Sequence, residues 1–247
     1  MAMSSSSTAF DLGGGVMPTA QLEGLLSQMV QGDSEQIRQA EEALTAALGT
    51  PAFMLDMLTR LTQSPASHVR QLAAVLLRRR IGGHWRKLGA ANNTRIKAAL
   101  LHVLATEPEQ PVVRSVAALS ATVARHAMAK GGWPELLSFV LDGSRSAMPA
   151  HRLVAMVLVA SLLESDDVVE KLRPHYELLK NLLSTALQDT ESAAVARGAL
   201  KALAAWAPSL AGEDDSAMLR PLVPQVNLSV SISIHLSISL SLTDVCT

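Results

Sequence analysis

The stretch that decides the fold is Val69-Arg70-Gln71-Leu72-Ala73-Ala74-Val75-Leu76-Leu77, an arginine followed by small and branched apolar residues over about three helical turns. The same phrase recurs at Val113–Leu119, His151–Leu158 and Val195–Leu203, with a weaker copy at Ile37–Leu44. The four arginines of the strong copies are separated by 44, 38 and 45 positions. A period of about 40 residues is typical of HEAT and armadillo arrays, in which helix pairs stack on one another.

The predicted fold class is therefore all-α: a right-handed α-α superhelix of the HEAT/ARM type with about five helix pairs. The apolar fraction of 49% is ample for a core, and the aromatic fraction of only 3% suits close helix packing. Residues 18–226 are expected to form the array. Such a fold offers long faces to partners and has no ready-made catalytic pocket.

The two ends of the chain are expected to lie outside the array. Residues 1–17 are predicted to form a disordered leader that is neither a secretory signal nor a transit peptide. Residues 227–247 form a low-complexity tail in which Ser or His alternates with Leu, Val or Ile, a strand pattern with no obvious partner. We interpret this change as a truncated array followed by a tail that is not native to it.

Helix boundaries are predicted from caps, prolines and glycines. The helix that begins near His68 is expected to end near Arg80, with three arginines in its last turn, because Gly82-Gly83 follows. A later helix is expected over Leu172–Leu187, and Asp166-Asp167 is expected in the turn before it.

Charge is sorted along the chain despite a net charge of −1. Residues 1–56 hold seven acids and one base, whereas residues 57–106 hold nine bases and no acid. Taken alone, the basic block favours a nucleic acid or an acidic protein as a partner, or else a set of solvated helix ends. The isolated tryptophans Trp85 and Trp133 are expected to pack in the core.

Several function classes find no support in the sequence. Cys246 is the single cysteine, so no disulfide framework and no cysteine metal site are expected. The seven histidines show no pair at the spacing of a helical metal site, and we expect no metal and no cofactor. No catalytic residues are assigned, an enzyme is not expected, and no stretch is long and apolar enough for a membrane span.

Residues 40–85 resemble the N-terminal region of the importin-beta superfamily (karyopherins). The similarity rests on Ala40–Leu44, Pro51-Ala52-Phe53, Val69–Ile81 and His84-Trp85, and the triple arginine with Trp85-Arg86-Lys87 and Trp133–Leu137 resembles the importin-four branch. An importin N-terminal domain is expected at about residues 33–105. The resemblance covers roughly Leu22–Val226, the first helix pairs of a longer receptor.

The resemblance implies a nuclear import receptor that binds the small GTPase Ran in its GTP form on the second helices of the early pairs. Projecting those helices at about 100° per residue gives a face opposite the buried stripe. On that face the candidates for Ran binding are Arg38, Glu42, Gln71, Arg78 and Arg114, and Ala46, Ala74, Ala117 and Ala121 are expected to share it.

The implied localisation is cytoplasm and nucleus, with nuclear-pore proteins and basic cargo proteins as partners of a full-length form. Neither a membrane nor a nucleic acid is an expected partner. Two alternatives stay open at this point: a general HEAT-repeat scaffold, and a truncated product without transport activity.

Overall fold

The computed structural model describes residues 17–45, 47–128, 132–210 and 217–227, and these residues form helices and turns with no strand among them. The α-helices of this part are α1 (Thr19–Gln31), α2 (Ser34–Thr45), α3 (Pro51–Gln63), α4 (Ser67–Thr106), α5 (Gln110–Ala127), α6 (Pro134–Ser144), α7 (Pro149–Leu163), α8 (Asp166–Leu172), α9 (Tyr176–Leu187) and α10 (Ala193–Trp206). Short 3-10 helices lie at Ala47–Gly49, Arg173–His175, Ala207–Leu210 and Ala217–Leu222, and residues 223–227 are also α-helical. The all-α prediction is confirmed for the described residues.

The chain divides into two compact units. The first unit comprises the described residues up to Val103 together with Glu107–Leu119, and the second comprises Leu104–Thr106 and the described residues from Ser120 onward.

The first unit holds α1 to α3 and most of α4 around an apolar core. Helix α1 packs on α2, and the largest fully buried side chains of α1 to α3 include Phe53, Met57 and Leu61. Pro51 suits the first turn of α3 because it has no N–H group, and an N–H there would have no acceptor within the helix. The Thr50 hydroxyl caps the helix by accepting the backbone N–H of Phe53 at 3.2 Å.

The second unit shows helix pairs stacked as an array requires. Helix α6 packs on α7 and α9 packs on α10, while α7 of one pair lies against α10 of the next. Gly198 makes that second contact close, because a Cβ atom there would lie 2.8 Å from the Cβ of Met156. Trp206 ends α10 fully buried, edge-on to Tyr176 with ring centroids 5.0 Å apart.

The predicted helix end near Arg80 is wrong. Helix α4 continues through Gly82-Gly83, and its backbone leaves the helical region only at Gly89 (φ 78°, ψ 165°). Glycine inside a helix costs only about 1 kcal/mol relative to alanine. Ile81, Trp85 and Leu88 prolong the buried stripe past the two glycines. The three arginines are therefore in mid-helix, away from the negative helix end.

The region between α7 and α9 also differs from the prediction. Asp166 and Asp167 do not form a turn, because they occupy the first turn of α8, where negative charge suits the helix dipole. The predicted helix over Leu172–Leu187 is interrupted by the 3-10 segment that contains Pro174, and α9 begins at Tyr176. Proline has no N–H to donate to the preceding turn, which explains the interruption.

The predicted leader lies almost wholly outside the described residues, and the tail beyond Asn227 lies outside them. Among the helices that are described, none combines the length and apolarity that a membrane crossing needs.

Candidate partner-binding surface

Arg70, near the start of α4, is clamped by its surroundings. Its Nε and Nη2 donate to the two carboxylate oxygens of Glu107 at 2.7 and 2.8 Å, and its Nη1 donates to the carbonyls of Ser64 and Pro65 at 3.0 Å each. Both side chains of the ion pair are largely buried, at 15% and 4% exposed. The hydrogen bond to Glu107 raises the pKa of Arg70 above its ordinary value. This arginine holds the turn before α4 to the turn before α5.

Arg152, near the start of α7 in the second unit, makes the corresponding contacts and one further ion pair, with Glu191 at 2.8 Å. Its Nε and Nη2 donate to the carboxylate of Asp189 at 2.7 and 3.2 Å, and its Nη1 donates to the carbonyls of Ser146 and Ala147 at 3.0 Å each. Burial alone would raise the pKa of Asp189, but the hydrogen bonds from Arg152 and from the backbone of Ser192 lower it overall. Both of these arginines therefore have structural roles.

The remaining two arginines of the repeated phrase behave differently. Arg114 and Arg197 are exposed and make no ion pair with any described residue. A signal for this difference exists in the sequence: the acid that clamps Arg70 or Arg152 lies 37 residues after it. The residue 37 positions after Arg114 is His151, and after Arg197 it is Ile234, so neither arginine has an acid at the required place.

The first two Ran-binding candidates, Arg38 and Glu42, lie one turn apart on α2 and bind each other. Arg38 Nη1 donates to Glu42 at 2.5 Å, and Arg38 Nη2 donates to Glu35 at 2.6 Å. The side chains of Arg38 and Glu42 are 57% and 65% exposed. Hydrogen bonds to Glu35 and then Glu42 raise the pKa of Arg38, while Arg38 and then Gln39 lower the pKa of Glu35. The exposed end of α2 thus presents a charged, self-paired cluster.

The other candidates lie on α4 and α5 in the same unit. Arg78 and Arg114 are exposed, and Gln71 is half-buried. The alanines expected beside them are not exposed: Ala74 and Ala117 are fully buried, and Ala121 is 6% exposed. Ala46 lies outside the described residues. The prediction of an alanine-rich binding face is therefore wrong, because these small side chains belong to a wide apolar stripe that contacts neighbouring helices.

The basic block of residues 57–106 separates into paired and unpaired members. Arg60 donates to Glu23 at 3.1 Å, and Ser64 also donates to that carboxylate, so Arg60 is structural in the same sense as Arg70. By contrast, the arginines in the middle of α4 are exposed. The tryptophans follow the prediction, since Trp85 is 6% exposed and Trp133 is 2% exposed.

Titratable side chains provide no assembled reaction centre in the described part of the chain. There, no three of the His, Cys, Asp and Glu side chains are placed to hold a metal ion. Asp142, Ser146 and His151 line one cavity of about 340 Å³, but the Ser146 hydroxyl accepts the N–H of Met148 at the start of α7. The Ser146 hydroxyl also lies 3.1 Å from His151 Nδ1, but within the described residues no hydrogen bond joins Asp142 to His151. The serine is thus a helix cap and no acid orients the histidine.

The described helices thus define a helical-repeat protein. The Importin-beta N-terminal domain matches residues 40–106, and the family described as IPO5-like, TPR repeats matches residues 108–237. The chain belongs to the importin-beta superfamily of nuclear transport receptors.

Individual relatives agree with this assignment. Importin-4 of Homo sapiens is 33% identical over 214 residues, and importin-4 of Mus musculus is 32% identical over 210 residues. These alignments cover 87% and 85% of this chain, which confirms the resemblance to the importin-four branch. The chain spans about a fifth of the length of these relatives, 19% of each.

Solved structures agree on the fold. The crystal structure of Kap121p bound to RanGTP matches 88% of this chain with a TM-score of 0.71, and that of Kap121p alone matches 85% with a TM-score of 0.68. The chain corresponds to 20% of each of those chains, at 17% sequence identity. The likeness confirms the predicted class, an α-α superhelix.

Proposed function

We propose that this chain acts within a nuclear import receptor and binds Ran in its GTP form through Arg38, Glu42, Gln71, Arg78 and Arg114. The observation that carries the proposal is membership in the importin-beta superfamily, with the N-terminal domain matched at residues 40–106. Kap121p, which shares the fold, has been crystallised bound to RanGTP. The role is that of a binding protein in protein import, without catalysis.

The geometry of the first unit supports this choice of residues. All five side chains belong to that unit, and four of them are exposed. Arg38 and Glu42 hold each other in place on α2, so a partner meets a guanidinium and a carboxylate whose rotamers are already restricted. Restricting such side chains before binding lowers the entropy that association must remove. Arg78 and Arg114 have no competing acid among the described residues, which leaves their donors for a partner.

Further partners follow by the same reasoning from relatives. Kap121p has been crystallised bound to Ste12p and bound to Nup53p. We therefore expect a full-length form to bind nuclear-pore proteins and basic cargo proteins and to occur in the cytoplasm and the nucleus. Neither a membrane nor a nucleic acid is part of the proposal.

The decisive experiment measures binding of the recombinant chain to Ran loaded with GTP or GDP. The chain is expected to prefer the GTP form. A triple variant, Arg38→Ala, Arg78→Ala and Arg114→Ala, is expected to weaken that binding about tenfold or more, because arginines are common among the residues that dominate interface energies. Alanine suits helix interiors, so the helices should persist.

A matched control removes three exposed arginines from the second unit: Arg125→Ala, Arg145→Ala and Arg197→Ala. It changes net charge equally and should leave Ran binding unchanged. Equal affinity for the two nucleotide forms would contradict the proposal and favour a general scaffold. Equal weakening by both triple variants would contradict the choice of residues.

A further inference from the structure

Four cationic side chains form a strip on one face of α4. Arg79 and Arg86 are seven residues apart, as are Arg80 and Lys87, so each pair lies within about 20° around the helix and about 10 Å apart along it. All four side chains are exposed. We call Arg79, Arg80, Arg86 and Lys87 the basic strip.

The charges of the basic strip, like those of Arg78 and Arg114 in the same unit, are not compensated by an acid among the described residues. Arg38, Arg60 and Arg70 each form an ion pair with a glutamate. The four strip residues form no ion pair with a described residue, and the sequence from 57 to 106 contains no acid. Structural need therefore does not account for them.

The part of α4 that carries the basic strip is anchored in the core, and the surface between the cationic rows is open. Ile81, Trp85 and Leu88 anchor this part of α4 in the core, at 0%, 6% and 5% exposed. Between the two cationic rows lies Gly83, which is exposed, and apart from its chain neighbours and the nearby helix backbone no atom lies within 4 Å of the position a Cβ would take there. A partner's backbone or carboxylate can therefore approach the helix closely between the flanking cations.

The chemistry of the surroundings favours a polypeptide over a nucleic acid. Proteins that bind single strands stack bases on aromatic side chains, and no aromatic side chain of the described residues is exposed. The strip is about 12 Å long, which matches about four residues of extended chain.

We propose that the basic strip is a docking site for an acidic segment of a partner protein. The carboxylates of that segment bind the cations of the two rows, and its backbone passes over Gly83. This site is separate from the proposed Ran surface on the same helix: Gln71 and Arg78 lie in one row, and Gly83 lies about 140° around the helix from Arg78. The proposal thus does not depend on Ran binding.

The test uses the full chain and a fluorescent oligoglutamate peptide of about ten residues, longer than the strip requires. Fluorescence anisotropy should detect binding at low salt that weakens as salt is added. Replacing all four strip residues with glutamine should weaken binding about tenfold or more, since each exposed ion pair contributes modestly and four are lost. A strip with lysine at all four positions should retain most of the affinity, which separates charge from folding.

The matched control replaces Arg125, Arg145, Arg197 and Lys201 with glutamine, which removes the same charge from exposed positions in the second unit. Unchanged peptide binding by this control would support the proposal. An absence of binding at low salt, or equal weakening by strip and control variants, would overturn it. Tighter binding of a single-stranded oligonucleotide than of the peptide would overturn the class of partner.

Discussion

Arg70 and Arg152 are each the fourth residue of a helix, in different units, and each guanidinium contacts one carboxylate and two carbonyls, with a further ion pair from Arg152 to Glu191. Arg114 and Arg197 are each the fifth residue of their helices and form no ion pair with a described acid. The repeated segment therefore marks the start of a helix in all four copies. The two arginines that stabilise the fold have an acid 37 residues later, and the two exposed ones do not. One repeated sequence thus supplies both structural and binding residues, and the two kinds can be separated experimentally.

The largest effect should come from removing a clamped arginine and comparing it with a free one. Arg70→Ala is expected to lower the free energy of unfolding by about 3 kcal/mol, because it leaves the buried carboxylate of Glu107 without its cation. Arg114→Ala should change it by less than about 0.5 kcal/mol. Urea unfolding followed by circular dichroism measures both. Equal losses would show that the comparison between clamped and free arginines has no energetic basis.

A conservative change tests whether charge or geometry matters in the clamp. Arg70→Lys keeps the positive charge but removes the planar fork that reaches Glu107 and the carbonyls of Ser64 and Pro65 together. We expect Arg70→Lys to lower the free energy of unfolding by about 1 to 2 kcal/mol, which is less than the effect of Arg70→Ala. The control is Arg114→Lys, which should be neutral. A neutral Arg70→Lys would mean that charge alone accounts for the clamp.

Acid should weaken the clamp in the second unit. The folded pKa of Asp189 lies below the ordinary value of 3.8, so the unfolded chain takes up the proton first as the pH falls. The contribution of Asp189 is complete above about pH 4 and is lost as the pH falls through the folded pKa. Urea unfolding of the natural chain and of Asp189→Asn across this range measures it. The stability difference should narrow as the pH falls below about 4, and a constant difference would contradict the assignment.

Much of the fold could be predicted from the sequence because the arginine of each repeated segment lies close to the start of its helix. Arg70 and Arg152 are each the fourth residue of their helix, and Arg114 and Arg197 are each the fifth. The break in α4 could not be predicted in the same way. The sequence does not distinguish Gly82 and Gly83, which stay helical, from Gly89, at which the helix breaks. Tertiary packing decides which glycine adopts a non-helical conformation.

The exposure of the candidate residues could be predicted only where no neighbouring helix covers them. Arg78 and Arg114 are exposed as expected, but Ala74 and Ala117 are buried. A helical projection uses the polar and apolar pattern of a single helix, whereas the burial of a side chain also depends on the helices packed against both flanks. Likewise, the pairing of Arg38 within α2 was open to prediction from its spacing to Glu35 and Glu42, because residues three and four apart on a helix are neighbours.

The smallest effect is expected at this exposed cluster. Arg38→Ala should leave the urea midpoint nearly unchanged, because an ion pair in water exchanges protein contacts for solvation and is screened by salt. Glu42→Gln should behave in the same way. If Arg38→Ala instead lowers the midpoint as far as Arg70→Ala does, then the cluster belongs with the clamps, and its part in the proposed Ran surface must be abandoned. Unchanged stability together with weaker binding of Ran-GTP would support a role for Arg38 in the proposed Ran surface, with its ion pairs to Glu35 and Glu42 contributing little to folding.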